Sequence, residues 1–497
     1  MRTTPARILA LLLTSALIAT ACSSDSSSTS ASTTTSAPAD GADDSTPVDD
    51  GVVRSTEPGV GPPASIDPAT LPVGELVDFG PAPVAPIGPY NAELEAAIDT
   101  VFGPSLVNGL WLTEQSEAMR TIVDSGDVRI AWLISDLLRI VQDPDLSGSL
   151  GRSAGELLGT DIEVGNPWGD LTDHLIAWDI PAPPDYVEDK RAIYTLLVPE
   201  WESIFVEGDI DWRHVSWGGV RIDDRPYDTT DDPCNCIPAA DNPEVTDVAG
   251  GDAWLEDDDV IFGVEVNGEA RAYPRQIMEV REMVNDTLGG RDLGIPYCTL
   301  CGSAQAYFTD EVPDGVARPI LRTSGLLIRS NKVMYDVETF SVFDTFRGDA
   351  VTGPLAELGV VLPQAGVVTA TWGDWKAAHP DTTVLDEELA LGRDFDFRNG
   401  RDANGPIFPI GDVDPRLPVQ EDVLGIITES GTPLAFHVAS AIEALRAGES
   451  VVVDDVHVVL DGGGVRAVDA DGNDLGGHQA FWFAWSQFHP DTALWPS

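Results

Sequence analysis

Lysine is nearly absent from this chain, occurring only at 190, 332 and 376, and Lys and Arg together number 28 against 83 Asp and Glu, a formal charge of -55. So few cations exclude a nucleic-acid footprint, which needs a basic patch or stripe. A surface this acidic also avoids anionic lipid and serves solubility. Beyond the first residues, no apolar run approaches the roughly 18 residues of a membrane span. There is no phosphate loop and no dinucleotide fingerprint, and no catalytic residue is assigned. Cysteine is limited to 5 positions in 497 residues.

One of those cysteines belongs to a targeting segment. Arg2 and Arg7 make a basic start, Ile8 to Ile18 is apolar, and Ala19-Thr20-Ala21-Cys22 is a small-residue cleavage site ending on cysteine. Residues 1–22 resemble a bacterial lipoprotein signal. The expectation is that Cys22 becomes a lipidated N-terminus tethering an extracytoplasmic protein to the outer face of the cytoplasmic membrane, in the cell envelope. Residues 23–89 are Ser/Thr-rich, then acidic, then rich in Pro and Gly, and read as a disordered tether.

At about 150 residues per domain the length allows about three domains. Residues 90–225 have helical spacing in Asn91 to Phe102, Glu114 to Val123, Val128 to Gln142 and Arg191 to Phe205. Residues 226–392 open differently. Val260 to Val266 alternates as a strand, Asn267-Gly268 fits a two-residue hairpin turn, and Glu269 to Tyr273 returns. Arg275 to Val284 reads as a short helix stopped by Asn285-Asp286, and Leu293 to Tyr297 as a strand delivering Cys298 and Cys301.

Part of this pattern recurs in residues 393–497. Trp372-x-x-Trp375-x-x-x-His379-Pro-Asp-Thr382 returns as Trp482-x-x-Trp485-x-x-x-His489-Pro-Asp-Thr492, and Asp259 to Tyr273 aligns without gaps on Asp422 to Phe436. The fold expected is α+β: an N-terminal helical domain, then a duplicated mixed α/β module rich in antiparallel strands. The second copy lacks the Cys loop, which locates any site in the first. The Trp/His block reads as packing and turn chemistry rather than as ligands at His379 and His489.

The remaining cysteines are Cys234-Asn-Cys236 and Cys298-Thr-Leu-Cys301. Three chemistries fit them. Outside the cytoplasm an even number suggests disulfides, and the small ring closed by Cys234 with Cys236 makes cross-pairing between the two segments the better geometry. Four thiolates could instead hold zinc, or soft thiolates copper(I). Thiol–disulfide exchange is the third, weakened because no helix follows Cys301. Glu282, Asn285 and Asp286 would share one helix face beside the loop, as acid/base, ligand or substrate-orienting groups, or simply as a cap and turn. The protein is thus expected to be a disulfide-stapled binding or scaffold lipoprotein of no established ligand or partner, or else a metal-binding (zinc or copper) or thiol redox protein using Cys298/Cys301 with Cys234/Cys236.

Five short segments carry a resemblance: Gly268 to Pro274 (GEARAYP), Val284 to Thr287 (VNDT), Tyr297 to Gly302 (YCTLCG), Val333 to Asp336 (VMYD) and His379 to Thr382 (HPDT). Together they resemble the bacterial domain of unknown function 3179 family, from about Asp231 to the C-terminus. The resemblance implies no established activity. The family pattern has His-Glu where this chain has Arg281-Glu282, and a Pro inside the Cys pair where it has Thr299.

Overall fold

The computed structural model describes residues 6–7, 58–59, 61–103, 110–229, 234–388 and 405–497. Cys22, nearly all of the signal segment, the tether up to residue 57 and the expected boundary between the two copies lie outside them. From residue 61 the chain does not hang free. Ala64 N–H donates to Ser450 O at 2.8 Å, Gly74 N–H to Pro415 O at 3.0 Å, and Gly80 O accepts from Trp178 Nε1 at 3.1 Å. Residues 61–89 are thus an extended strap laid across the folded body.

Among the described residues, six α-helices make the N-terminal part: Ala92–Phe102, Thr113–Ser125, Ala131–Ile140, Pro144–Leu158, Pro167–Ala177 and Tyr186–Thr195. Local signals explain their ends. The Asn91 side chain caps the first helix, Asp143 caps the fourth with Pro144 in its opening turn, and Gly126 and Gly159 close two of them in the left-handed region. Pro144–Leu158 escapes sequence periodicity because Gly148, Gly151 and Gly155 interrupt it. Two of these glycines are required by packing: a Cβ at Gly151 would lie 2.7 Å from the Pro167 ring, and one at Gly155 2.6 Å from Thr160 O. The expected helix Arg191 to Phe205 is displaced, running Tyr186–Thr195 and then a 3-10 turn at Pro199–Ser203. At the centre Lys190, fully buried, ends on Asp136, whose carboxylate also accepts from Tyr186 and Tyr194.

The β-rich part consists of small, mostly antiparallel sheets arranged as a five-bladed propeller. In the first, the strand order is Val367–Thr371, Val260–Val266, Glu269–Pro274, Thr383–Leu385, Val245–Thr246. The second runs Gln364–Ala365, Ala306–Phe308, Arg291–Cys298, Met283–Leu288, Ala240–Asp241, with Ser303–Ala304 paired to Arg291–Cys298. The third is Val342–Phe343, Asn331–Asp336, Leu321–Ile328, Val215–Trp217, its last strand following the helical part. The fourth is His478–Phe481, Asp422–Ile427, Pro433–His437, Ala493–Trp495, and the fifth Val451–Val453, Val456–Asp461, Gly464–Val468.

The expected hairpin is present, with Asn267 at φ +51° and Gly268 at φ +82° in its turn. The expected helix is shorter than its periodicity suggested. It stops at Arg281, Glu282 takes φ +50°, and Met283–Leu288 is a strand. Met283 and Val284 suit either period, and the strand won because it pairs with Arg291–Cys298 along its whole length.

The first and fourth sheets share an order of strands. Each has a hairpin, an antiparallel strand beside its first arm, the Trp/His helix, and a last strand parallel to its second arm. In both, the second Trp donates from Nε1 to the Thr of the block, Trp375 to Thr382 at 3.0 Å and Trp485 to Thr492 at 2.9 Å. Each indole lies on a hairpin glycine: a Cβ at Gly263 would sit 2.4 Å from Trp375, and one at Gly425 2.1 Å from Trp485. Because both rings are fully buried, they have no room to retreat. Gly425→Ala is therefore expected to destabilise the protein by about 1–3 kcal/mol through overpacking, read as a lowered denaturation midpoint. An unchanged midpoint would mean that the Trp485 ring can slide aside.

Candidate functional site

Strand Arg291–Cys298 carries Ile295 and Tyr297 into the core and ends at Cys298. The chain then reverses: Cys301 N–H donates to Cys298 O at 3.3 Å, Gly302 takes φ +61°, and Ser303 returns opposite Cys298. The reversal turns both thiols toward one acceptor, the Ser330 carbonyl, at 3.6 Å from Cys298 Sγ and 3.3 Å from Cys301 Sγ. Both cysteines are free and no more than 2% exposed.

A second hairpin supplies that carbonyl. Leu321–Ile328 and Asn331–Asp336 are joined by Arg329 and Ser330, at φ +44° and +70°. A two-residue turn of this kind favours Asn, Asp or Gly, and this one has none. Lys332 follows, 3% exposed, its ammonium on the Glu282 carboxylate. Burial pushes the Cys298 thiol up, and Glu282 adds to that, but the hydrogen bond with Cys301 and the Lys332 charge outweigh them and leave it below the ordinary thiol range. A lowered thiol pKa favours the thiolate, the form that binds metals and attacks disulfides.

Around the thiols is an unusual set of polar side chains. Ser303, Gln305, Ser330 and Asn331 are each no more than 2% exposed. Among the described residues, neither serine Oγ and neither atom of either amide has a hydrogen-bond partner. Ser303 faces Cys298 across the ladder and Gln305 lies two residues on, while Ser330 and Asn331 belong to the turn that meets the thiols. Burying a polar group unpaired costs about 1–3 kcal/mol, so a cluster of four marks a place where the fold's own bonding is incomplete.

The other sequence candidates lie elsewhere. Cys234 and Cys236 are bonded to each other, with Cα atoms 5.2 Å apart, so the expected cross-pairing to Cys298 and Cys301 is replaced by the small ring. Among the described residues, the groups of three or more possible ligands are Asp223 with Cys234 and Cys236, and Glu265 with His379 and Asp461. Neither includes Cys298 or Cys301, which removes the four-thiolate zinc site. In the second group His379 Nε2 bonds Asp461 at 2.7 Å, and Arg466 reaches the same carboxylate, so the local charge is met from within the chain.

Glu282, Asn285 and Asp286 do not share a helix face. Only Glu282 adjoins the thiols. Asn285 is on the strand, where its amide donates to Asp241 at 2.9 Å and Leu321 O at 3.0 Å and accepts from Leu321 N–H at 3.1 Å. Asp286 points to the opposite face and accepts from Arg271 at 2.6 Å and Tyr273 at 2.8 Å. Arg281, where the family pattern has His, is held by Glu387. Sequence reasoning missed Ser303, Gln305, Ser330 and Lys332. The scarcity of lysine was the signal that could have singled out Lys332.

These features define a class: an α+β protein with a five-bladed β body and a buried pair of free thiols. Residues 234–476, just under half of the chain, match the family described as "Protein of unknown function (DUF3179)", the family that the sequence segments resemble. The matched segment opens on Cys234, includes the thiol pair and ends before the second Trp block. Neither curated proteins nor solved structures give a match.

Replacing Lys332 with Met removes the ammonium beside Cys298. Thiolate absorbance of the reduced protein, with that of Cys298→Ser subtracted, is expected to appear at a pH higher by about one unit. No displacement would assign the lowered thiol to the Cys301 bond instead.

Proposed function

We propose that the protein is an envelope lipoprotein whose Cys298–Cys301 pair binds a soft monovalent cation, copper(I). The observation that carries this reading is the pairing of two free, buried thiols, hydrogen-bonded to each other and turned toward one carbonyl, with the Lys332 ammonium alongside. Soft thiolates select copper(I) or zinc. Structural zinc asks for four ligands, and here Cys234 and Cys236 are tied up in their own disulfide. Two thiolates and a monovalent cation carry a net charge of minus one, and Lys332, shared with Glu282, is the cation beside them.

Reversible oxidation of the same pair is the second reading, favoured by the lowered Cys298 thiol. Burial counts against it, since exchange requires a partner sulfur to reach the attacking thiolate. The common strand order of the first and fourth sheets, with their matching Trp–Thr bonds, supports descent of residues 226–392 and 393–497 from one duplicated module. The lipid anchor at Cys22 rests on the signal pattern of residues 1–22.

The test is a copper(I) titration of the reduced full-length chain, without oxygen and against a chromophoric competitor. One equivalent per chain is expected, lost in both Cys298→Ser and Cys301→Ser and not displaced by zinc. Copper retained by Cys298→Ser would sink the copper reading. A Cys298–Cys301 disulfide recovered from protein alkylated as made would favour oxidation instead.

A further inference from the structure

On the other side of the Arg329-Ser330 turn lies a cavity of about 270 Å³, between the third sheet and the end of the helical part. Its charged lining is Arg329 and Lys332 with Asp209, Asp211 and Asp344, and Lys332 is already taken by Glu282. In a chain with 83 acids to 28 bases, carboxylates are abundant and most buried bases hold one. Arg329 holds none. Among the described residues its one side-chain hydrogen bond is to His214 Nε2 at 3.4 Å, and it makes no ion pair. Asp412, Asp211 and Asp179 act on it only at longer range. Arg139, also without an ion pair, is caged by the rings of Trp168, Trp217 and Phe408. Arg329 has no such cage.

We propose that this cavity binds a small monocarboxylate with an apolar body, its carboxylate held by Arg329. A planar guanidinium matches a carboxylate with two parallel hydrogen bonds. The walls that Phe343 and Phe488 contribute suit an apolar remainder. Gln487 Oε1, a buried acceptor without a partner, also lines the space and could take a hydroxyl from the ligand. His214 does not compete for the anion. Burial, then the Arg329 charge, pushes it down to about 4 against the pull of Asp211, so near neutral pH its Nε2 accepts from Arg329.

The acids in the wall set the charge limit. Asp211 is engaged by Arg213 at 2.6 Å, and Asp344 accepts from the Phe346 and Arg347 N–H groups. A dianion such as phosphate would still meet their negative potential, whereas a single carboxylate can be balanced by Arg329. The turn supports the same assignment. Position 329 sits at φ +44°, where Asn or Gly would be at ease, yet it carries the side chain that reaches the cavity. Lys332, held by Glu282, lies between this cavity and the thiols.

Calorimetric titration of the full-length chain with 3-methylbutanoate, with inorganic phosphate in parallel, tests the proposal. Saturable binding of the carboxylate at one site per chain, and weaker or no binding of phosphate, is expected. Arg329→Asn should weaken carboxylate binding by at least about tenfold while the melting temperature holds or rises, because Asn tolerates the left-handed turn. Arg329→Lys, which keeps the charge and loses the fork, should bind more weakly than the native chain. Absence of saturable carboxylate binding, tighter binding of phosphate, or undiminished binding in a folded Arg329→Asn or in Arg329→Lys would overturn the proposal.

Discussion

Burying a carboxylate without a cation or donors beside it is costly, and a chain with three acids for each base can do so at few places. Where its bases go therefore decides which elements can pack. Arg322, 1% exposed, takes both oxygens of Asp241 at 2.7 and 2.6 Å, and Asp223 is taken in the same way by Arg225 at 2.7 and 2.8 Å. The first pair ties the third sheet to the second, and Arg322 Nε, donating to Arg225 O at 3.2 Å, ties both to the segment after the helical part. All three lysines are committed too: Lys190 to Asp136, Lys332 to Glu282, and Lys376 to Asp252 and Asp257. Breaking a buried pair of this kind typically costs about 3–5 kcal/mol, because the surviving charge stays behind. Lys332 thus has two consequences: it holds the end of the helix through Glu282, and it lowers the neighbouring thiol.

The chemistry sits where the first and fourth sheets differ. Each hairpin is followed by a short helix, Arg275–Arg281 or Val438–Arg446, and each Trp/His helix is preceded by the strand beside the hairpin. Between those landmarks the first unit carries most of the second and third sheets, whereas the other carries the three-stranded sheet of residues 451–468. The thiols, Lys332 and the Arg329-Ser330 turn all belong to the longer insertion. The Trp indoles clamped on Gly263 and Gly425 are common to both sheets, and the thiol site lies in the stretch that they do not share.

This division also explains what the sequence made legible. The hairpin at 260–274 and the Trp/His repeat are local patterns with fixed spacing, and both could be read directly. Glycine inside Pro144–Leu158 hid a helix, because its reason is contact with Pro167 and Thr160, which no local rule contains. Asn285-Asp286 looked like a helix stop because those residue types favour turns. Their side chains are instead spent across the sheets, on Asp241, Leu321, Arg271 and Tyr273. The Cys loop was visible as a motif, but its partners come from a hairpin some thirty residues on, and only folding brings Ser330 and Lys332 beside it. A disulfide is present, but the expected cross-pairing failed for a related reason: it required the two Cys segments to meet, and the first stays with Asp223.

The turn at Arg329 and Ser330 links these threads. Left-handed backbone at a residue other than Gly, Asn or Asp is held only where the surroundings over-determine it, and here two such residues are consecutive. Asn-Gly was available to this protein, since residues 267 and 268 use it in the first hairpin. The two turns differ in what lies around them. Asn267-Gly268 is exposed, whereas Ser330 is buried, its carbonyl accepting from both thiols, and Arg329 turns its guanidinium into the cavity on the other side. A turn selected for stability would resemble the first. A turn of this composition follows if the side chain at 329 and the carbonyl at 330 are what the position has to supply.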